Sequence, residues 1–63
     1  MDLFEAITKE IDEKVTQLKD HLAAGRAQTH EDYKYLCGEI TGLLFVRGYL
    51  SDLKHHLEIS DNE

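Results

Sequence analysis

The chain has 63 residues, one cysteine and a formal net charge of −6, from 13 acidic and 7 basic residues. A chain this short forms at most one domain and buries roughly 60% of its unfolded surface, so small domains usually need a disulfide, a metal or oligomerisation for stability. One cysteine excludes an internal disulfide, and the acidic charge argues against binding to nucleic acid or to an anionic membrane. Oligomerisation is therefore the expected source of additional stability.

The N-terminal residues lack the basic region and apolar run of a signal peptide. No apolar stretch approaches the roughly 20 residues that span a bilayer. These features predict a soluble cytoplasmic protein without membrane contact. The acids are interleaved with lysines instead of forming one run. That pattern favours a solvated outer face over the alternative of an acidic mimic of nucleic acid.

The first predicted helix spans about residues 3–24. Asp2 with Glu5 resembles a capping box at its start. Six apolar residues then recur at an average step of 3.6, the period of an α-helix. They are Phe4, Ile7, Ile11, Val15, Leu18 and Leu22. Gly25 follows two alanines and is placed to take the left-handed conformation that ends a helix.

Residues 25–29 form a short turn, which makes the two helices antiparallel neighbours. The second predicted helix spans about residues 30–58, with Thr29 and Asp32 as another capping pattern. Residues 59–63 are predicted to form a frayed acidic tail. The apolar residues of the second helix cover more than half of its circumference, including the run from Leu43 to Val46. A helix of this kind must be buried on nearly all sides.

The apolar stripes of the two helices fit one antiparallel register, in which the numbers of facing residues have a constant sum. Three pairs sum to 54: Phe4 with Leu50, Ile11 with Leu43, and Leu18 with Leu36. Three more pairs differ from that sum by one: Val15 with Ile40, Leu22 with Tyr33, and Ile7 with Val46. The predicted fold class is therefore all-α, an antiparallel helical hairpin.

The first helix cannot cover all of the second, whose last two turns are expected to extend past it. Gly38 and Gly42 lie on the face away from the first helix, where another backbone could approach closely. That face has three open explanations: a symmetric dimer, docking of a different protein, or an irregularity of the helix. We expect a dimer that forms a four-helix bundle. The predicted interface is Cys37, Gly38, Gly42, Leu44, Phe45, Tyr49, Leu53 and Leu57.

No residue pattern typical of catalysis or of cofactor binding is present. The four histidines form no pair four residues apart, and Cys37 lies far from them in sequence. One chain therefore cannot supply the four ligands of a zinc site, although a site shared across a dimer stays open. Cys37 has no adjacent histidine base or basic cluster that would make it reactive. We predict a protein that is not an enzyme and that holds no metal or cofactor.

The segment 22–44 contains a turn of small residues and then Tyr33, Cys37-Gly38 and an Ile-x-Gly-Leu sequence at 40–43. This Tyr-x3-Cys-Gly-x-Ile-x-Gly-Leu pattern resembles a group of small helical proteins of tailed bacteriophages, most of them uncharacterised. Such proteins are often encoded near virion structural genes, which implies a role in head or neck assembly. The resemblance supplies no catalytic or ligand residues.

Two functions follow as hypotheses. The first is a self-associating virion component or assembly protein that acts by contacts with a larger viral protein. The alternative is a small phage-encoded inhibitor that binds a host protein through its acidic or its aromatic face. Both would act in the cytoplasm of the host cell, and the first would also be found in the virion.

Overall fold

The computed structural model describes residues 2–62, which form two α-helices and the connection between them. Helix α1 spans Leu3–Ala23 and helix α2 spans His30–Asn62. No strand occurs within residues 2–62, so the all-α prediction is confirmed. The two helices pack against each other. The molecule measures 52 × 19 × 11 Å, which makes it two helices wide and one helix thick.

Both ends of α1 are closed by residues that the sequence indicated. The Asp2 carboxylate accepts a hydrogen bond of 2.8 Å from the backbone N–H of Glu5. At the other end Gly25 has φ +75°, as predicted. The N–H of Gly25 donates to the carbonyl of Leu22, and the N–H of Arg26 donates to the carbonyl of His21. These two bonds form a Schellman motif, which places a left-handed residue directly after the helix.

Helix α2 begins at a side-chain cap and continues farther than expected. Thr29 Oγ1 accepts a hydrogen bond of 3.0 Å from the N–H of Asp32. The helix backbone continues to Asn62, beyond the predicted end at Glu58. Residues 49–62 contain neither glycine nor proline, so no backbone signal ends the helix there. Glu63, the last residue of the predicted tail, lies outside the described residues.

The core lies along one side of α1. Ile11, Val15 and Leu18 are buried there. The α2 residues that the register places opposite them are half-buried: Leu36, Ile40 and Leu43. Phe4 and Leu50 line the same groove between the helices, as the register requires.

Ion pairs between the helices confirm that they run antiparallel. Arg47 pairs with Asp12, whereas Lys54, later in α2, pairs with Glu5, earlier in α1. The residue numbers of both pairs sum to 59, not 54. The offset arises because helical side chains lean toward the N-terminus of their own helix. In an antiparallel pair of helices, this lean brings together side chains whose residue numbers have a sum higher than 54.

The flanks of the helix–helix contact are more open than the register suggested. Ile7 and Val46 were expected to face each other, and Tyr33 was expected to cover Leu22. These three side chains instead expose between 36% and 52% of their surface. A single neighbouring helix covers only a strip along the contact line, so residues beside that strip stay accessible. The apolar surface left over is therefore wider than predicted.

Candidate protein–protein interface

The larger residues of the predicted interface are exposed in the hairpin. Five of them expose between 46% and 68% of their surface: Leu44, Phe45, Tyr49, Leu53 and Leu57. Scattered single apolar residues are normal on a protein surface. Five on one helix, spaced by one to four residues, instead form the extended apolar surface that is typical of an interaction site.

Gly38 and Gly42 are not required by the packing of the hairpin. A Cβ atom built on either glycine would meet no atom within 4 Å. Glycine in a helix interior is about 1 kcal/mol less favourable than alanine. Nothing inside the hairpin explains why these two positions lack a side chain.

Cys37 differs from the other predicted interface residues because it is half-buried. Its thiol lies beside Tyr33, one turn earlier in α2, and interaction with this thiol raises the pKa of the tyrosine hydroxyl. Part of the Cys37 surface is therefore already covered by contacts within the chain. It is the least accessible of the eight predicted residues.

The structure also exposes apolar residues that the predicted interface omitted. Tyr35 and Leu3 each expose 70% of their surface, and Val46 and Ile7 are partly open. Tyr35 had a detectable signal, since it precedes Gly42 by seven residues and Tyr49 by fourteen and so shares their helix face. For Leu3 no such signal existed, because it adjoins the stripe that faces α2.

At about 100° per residue, the exposed residues of α2 fall into three groups. The group farthest from α1 is named the outward stripe, and it consists of Tyr35, Gly38, Gly42, Phe45 and Tyr49. One flank carries Val46 and Leu57, the other carries Cys37 and Leu44, and Leu53 lies at the border between the stripe and the first flank, at the same angle as Tyr35. The predicted interface thus surrounds α2 on every side that α1 leaves open.

The charged contacts between the helices follow the flank that carries Leu44. Arg47 Nε donates to Asp12 Oδ1 at 2.6 Å, and Arg47 Nη2 donates to Asp12 Oδ2 at 3.3 Å. This bidentate contact lowers the pKa of the Asp12 carboxyl and raises that of Arg47. All of these groups are exposed, so their contribution to stability is small and screened by salt.

Lys54 forms a second charged cluster at the start of α1. Its Nζ lies 3.2 Å from Asp2 Oδ2, 3.3 Å from Glu5 Oε1 and 3.9 Å from Glu58 Oε1. Hydrogen bonds to Asp2 and then to Glu5 raise the pKa of Lys54. The backbone N–H of Glu5 lowers the pKa of Asp2. These contacts hold the start of α1 against the C-terminal part of α2.

Among the side chains that the structure describes, no three of His, Cys, Asp or Glu gather as metal ligands would. None of the described helices combines the length and hydropathy needed to cross a membrane. An open groove runs between Phe4 and Leu50 on the charged flank, and its rim carries Asp12, Arg47 and Lys54. Arg47 pairs there with Asp12, and Lys54 pairs with Asp2 and Glu5, so both cations are engaged within the chain.

The exposed surface of α2 is thus the main candidate site of this chain. Comparisons with protein-family models, with curated proteins and with solved structures found no match.

Proposed function

We propose that this chain is a non-enzymatic helical hairpin that self-associates through α2 and acts by protein–protein contacts. One observation carries the proposal. A folded monomer of 7.3 kDa is expected to expose about 4,200 Å², whereas this hairpin exposes 5,044 Å². The excess of about 840 Å² is close to the area of about 800 Å² that each partner buries in a standard interface.

The small core supports the same proposal. Only Ile11, Val15 and Leu18 are classed as buried among the described residues. A partner that binds the folded chain stabilises it by mass action, and a second copy is present wherever the first is made. The cross-section of 19 × 11 Å also fits this arrangement, because two such layers together have the shape of a four-helix bundle.

For the biological role, we propose a structural or assembly component of the head or neck of a tailed bacteriophage. The support is the resemblance of the segment Tyr33–Leu43, together with an exposed helix that suits a purely structural task. In this proposal the chain acts in the host cytoplasm and in the virion, where a larger viral protein is its second partner.

The alternative is an inhibitor that binds a host protein through acidic side chains. The observation in its favour is that Glu10, Glu13 and Asp20 are exposed on α1 and do not belong to the interhelical ion pairs. Lys9, Lys14 and Lys19 are also exposed there, which weakens any acidic field. Mass spectrometry of purified particles distinguishes the two roles, since only the first predicts the chain at a fixed copy number in the virion.

Sedimentation equilibrium of the purified chain at micromolar concentration tests self-association. We expect a mass of at least twice the 7.3 kDa of one chain. A helical monomer that remains folded across the concentration range would contradict the proposal. In that case the exposed surface of α2 would serve a different protein.

A further inference from the structure

The outward stripe of α2 has the spacing of a coiled-coil contact. Its members alternate in steps of three and four residues: Tyr35, Gly38, Gly42, Phe45 and Tyr49. Glu31 and, at the other end, Asp52 and His56 continue the same alternation. Tyr35, Tyr49 and Phe45 are, with Leu3, the most exposed large hydrophobic residues of the described chain. The most exposed aromatic groups and two glycines therefore share one narrow stripe.

Laid antiparallel against a copy of itself, this stripe is complementary in size. In such a pair the facing residues again have numbers with a constant sum. With a sum of 87, Gly42 faces Phe45 of the second copy and Gly38 faces its Tyr49. Each aromatic ring then lies over a position where α2 has no side chain. Because nothing lies within 4 Å of a Cβ built on either glycine, the rings have free access to the backbone there.

In the same register, with a sum of 87, the residues at the two ends of the stripe are chemically complementary. Tyr35 faces Asp52 of the second copy, and Glu31 faces His56. A tyrosine hydroxyl can donate a hydrogen bond to a carboxylate, and a histidine can donate one to a glutamate. A parallel arrangement of the two stripes is complementary neither in size nor in chemistry, because it sets Phe45 against Phe45 and leaves glycine facing glycine. Such a contact would combine crowding with voids.

We propose that the second copy binds along the outward stripe, with the two α2 helices antiparallel and with Phe45 and Tyr49 of each copy packed on Gly42 and Gly38 of the other. This inference rests on the proposed self-association and specifies its geometry. The apolar residues Val46 and Leu53 border the stripe and extend the contact on one side. The excess exposed area of the hairpin over a compact monomer of this mass, about 840 Å² per chain, is close to the share of one partner in a standard interface.

A distance between spin labels tests the arrangement without disturbing the stripe. Cys37, the single cysteine, is replaced by serine, and the exposed Lys34 is replaced by cysteine and labelled. Under the sum of 87, Lys34 faces residue 53 of the second copy, so the two labels lie about 28 Å apart along the helix axis. In a parallel dimer they would be separated only by the distance between the helices, about 10 Å. Sedimentation first establishes that the labelled chain associates like the parent.

The matched variants Gly42→Gln and Gly48→Gln test which glycine is in the contact. Both replace an unhindered helical glycine with the same good helix former. Gly48 lies about 120° around the helix from Gly42. We expect Gly42→Gln to raise the dimer dissociation constant by about 100-fold, as for loss of a central aromatic contact, while Gly48→Gln leaves it within a factor of a few. Circular dichroism verifies that both variants are helical.

The outcomes separate the geometry from the proposed function. A label distance near 30 Å together with a selective loss in Gly42→Gln supports the antiparallel stripe. A dimer with a short label distance, or one in which both glutamine variants behave alike, overturns this geometry and leaves self-association standing. A folded parent chain that is monomeric overturns both.

Discussion

Gly25 is the residue whose identity is most closely tied to the fold. Its φ of +75° lies in the left-handed region, where an L-residue with a side chain loses roughly 1–2 kcal/mol. The space around it is open, so the backbone conformation and not a steric clash requires glycine. The consequence is local: without this conformation, the connection between α1 and α2 loses its Schellman bonds.

We therefore predict that Gly25→Ala lowers the free energy of unfolding by about 1 kcal/mol. Urea unfolding at a fixed protein concentration measures this change in the free energy of unfolding. Gly48→Ala is the control, because Gly48 is equally unhindered but helical, and there alanine should stabilise by about 1 kcal/mol. Equal and stabilising effects of both substitutions would show that residue 25 is not held in a left-handed turn.

The carboxyls of Asp2 and Asp12 predict a dependence of stability on pH. Both have a folded-state pKa below the ordinary value of 3.8. A lowered pKa means that the ionised carboxylate stabilises the fold at pH values above 3.8, and that this stabilisation is lost as the pH falls through the lowered value. The melting temperature should therefore decrease as the pH falls below about 4, and less so in concentrated salt.

Asp12→Asn tests the origin of that decrease. Asparagine cannot ionise, so the variant should be slightly less stable than the parent at neutral pH and should lose less stability on acidification. Thermal melts across the acidic range compare the two chains. An identical acid-side slope in parent and variant would show that the contact between Asp12 and Arg47 contributes nothing.

At the scale of the helices, the first residues of α1 and α2 were predictable from the sequence, whereas the last residue of α2 was not. Asp2 and Thr29 cap their helices through side-chain bonds to residues three positions on, and such local contacts are visible in sequence. The end of α2 lacks a comparable signal, so its continuation past Glu58 could not be read from the residues. The pairing of Arg47 with Asp12 was also missed, because a register of apolar residues does not describe where long side chains lean.

The outward stripe was only partly predictable for a related reason. The sequence shows that Gly38, Gly42, Phe45 and Tyr49 share a face, but the predicted interface omitted Tyr35. The exposure of Tyr35 depends on the position of α1, which leaves that face of α2 uncovered. Periodicity identifies which residues share a helix face, whereas the burial of that face depends on how many other helices pack against it.

The packing of α1 on α2 predicts a large effect from its core residues. Leu18 is 4% exposed, and truncation of a buried leucine to alanine costs about 2–5 kcal/mol. A domain of this size rarely has more than about 3–5 kcal/mol in total from its core, so Leu18→Ala should be largely unfolded. Circular dichroism at 25 °C should show most of the helical signal lost. Leu44→Ala, on the exposed flank, is the control and should keep it.

The whole molecule is a layer one helix thick, and this shape connects stability to association. Neither broad side of a single layer can be shielded from water by the chain itself, and only three side chains of the described part are buried. If a second copy covers α2, then part of the free energy that keeps the hairpin folded comes from the dimer contact. Folding and association would then be observed as one linked equilibrium.

Such linkage predicts that the melting temperature rises with protein concentration. Melts followed by circular dichroism from about 1 µM to about 100 µM should shift upward steadily for the parent chain. Phe45→Ala should melt at a lower temperature and lose most of this dependence, because the substitution weakens the contact without touching the core of the hairpin. Leu3→Ala removes an equally exposed side chain from α1 and should keep the dependence. If the parent melts at one temperature throughout the range, the hairpin is stable alone, and the exposed surface of α2 is kept for a partner other than itself.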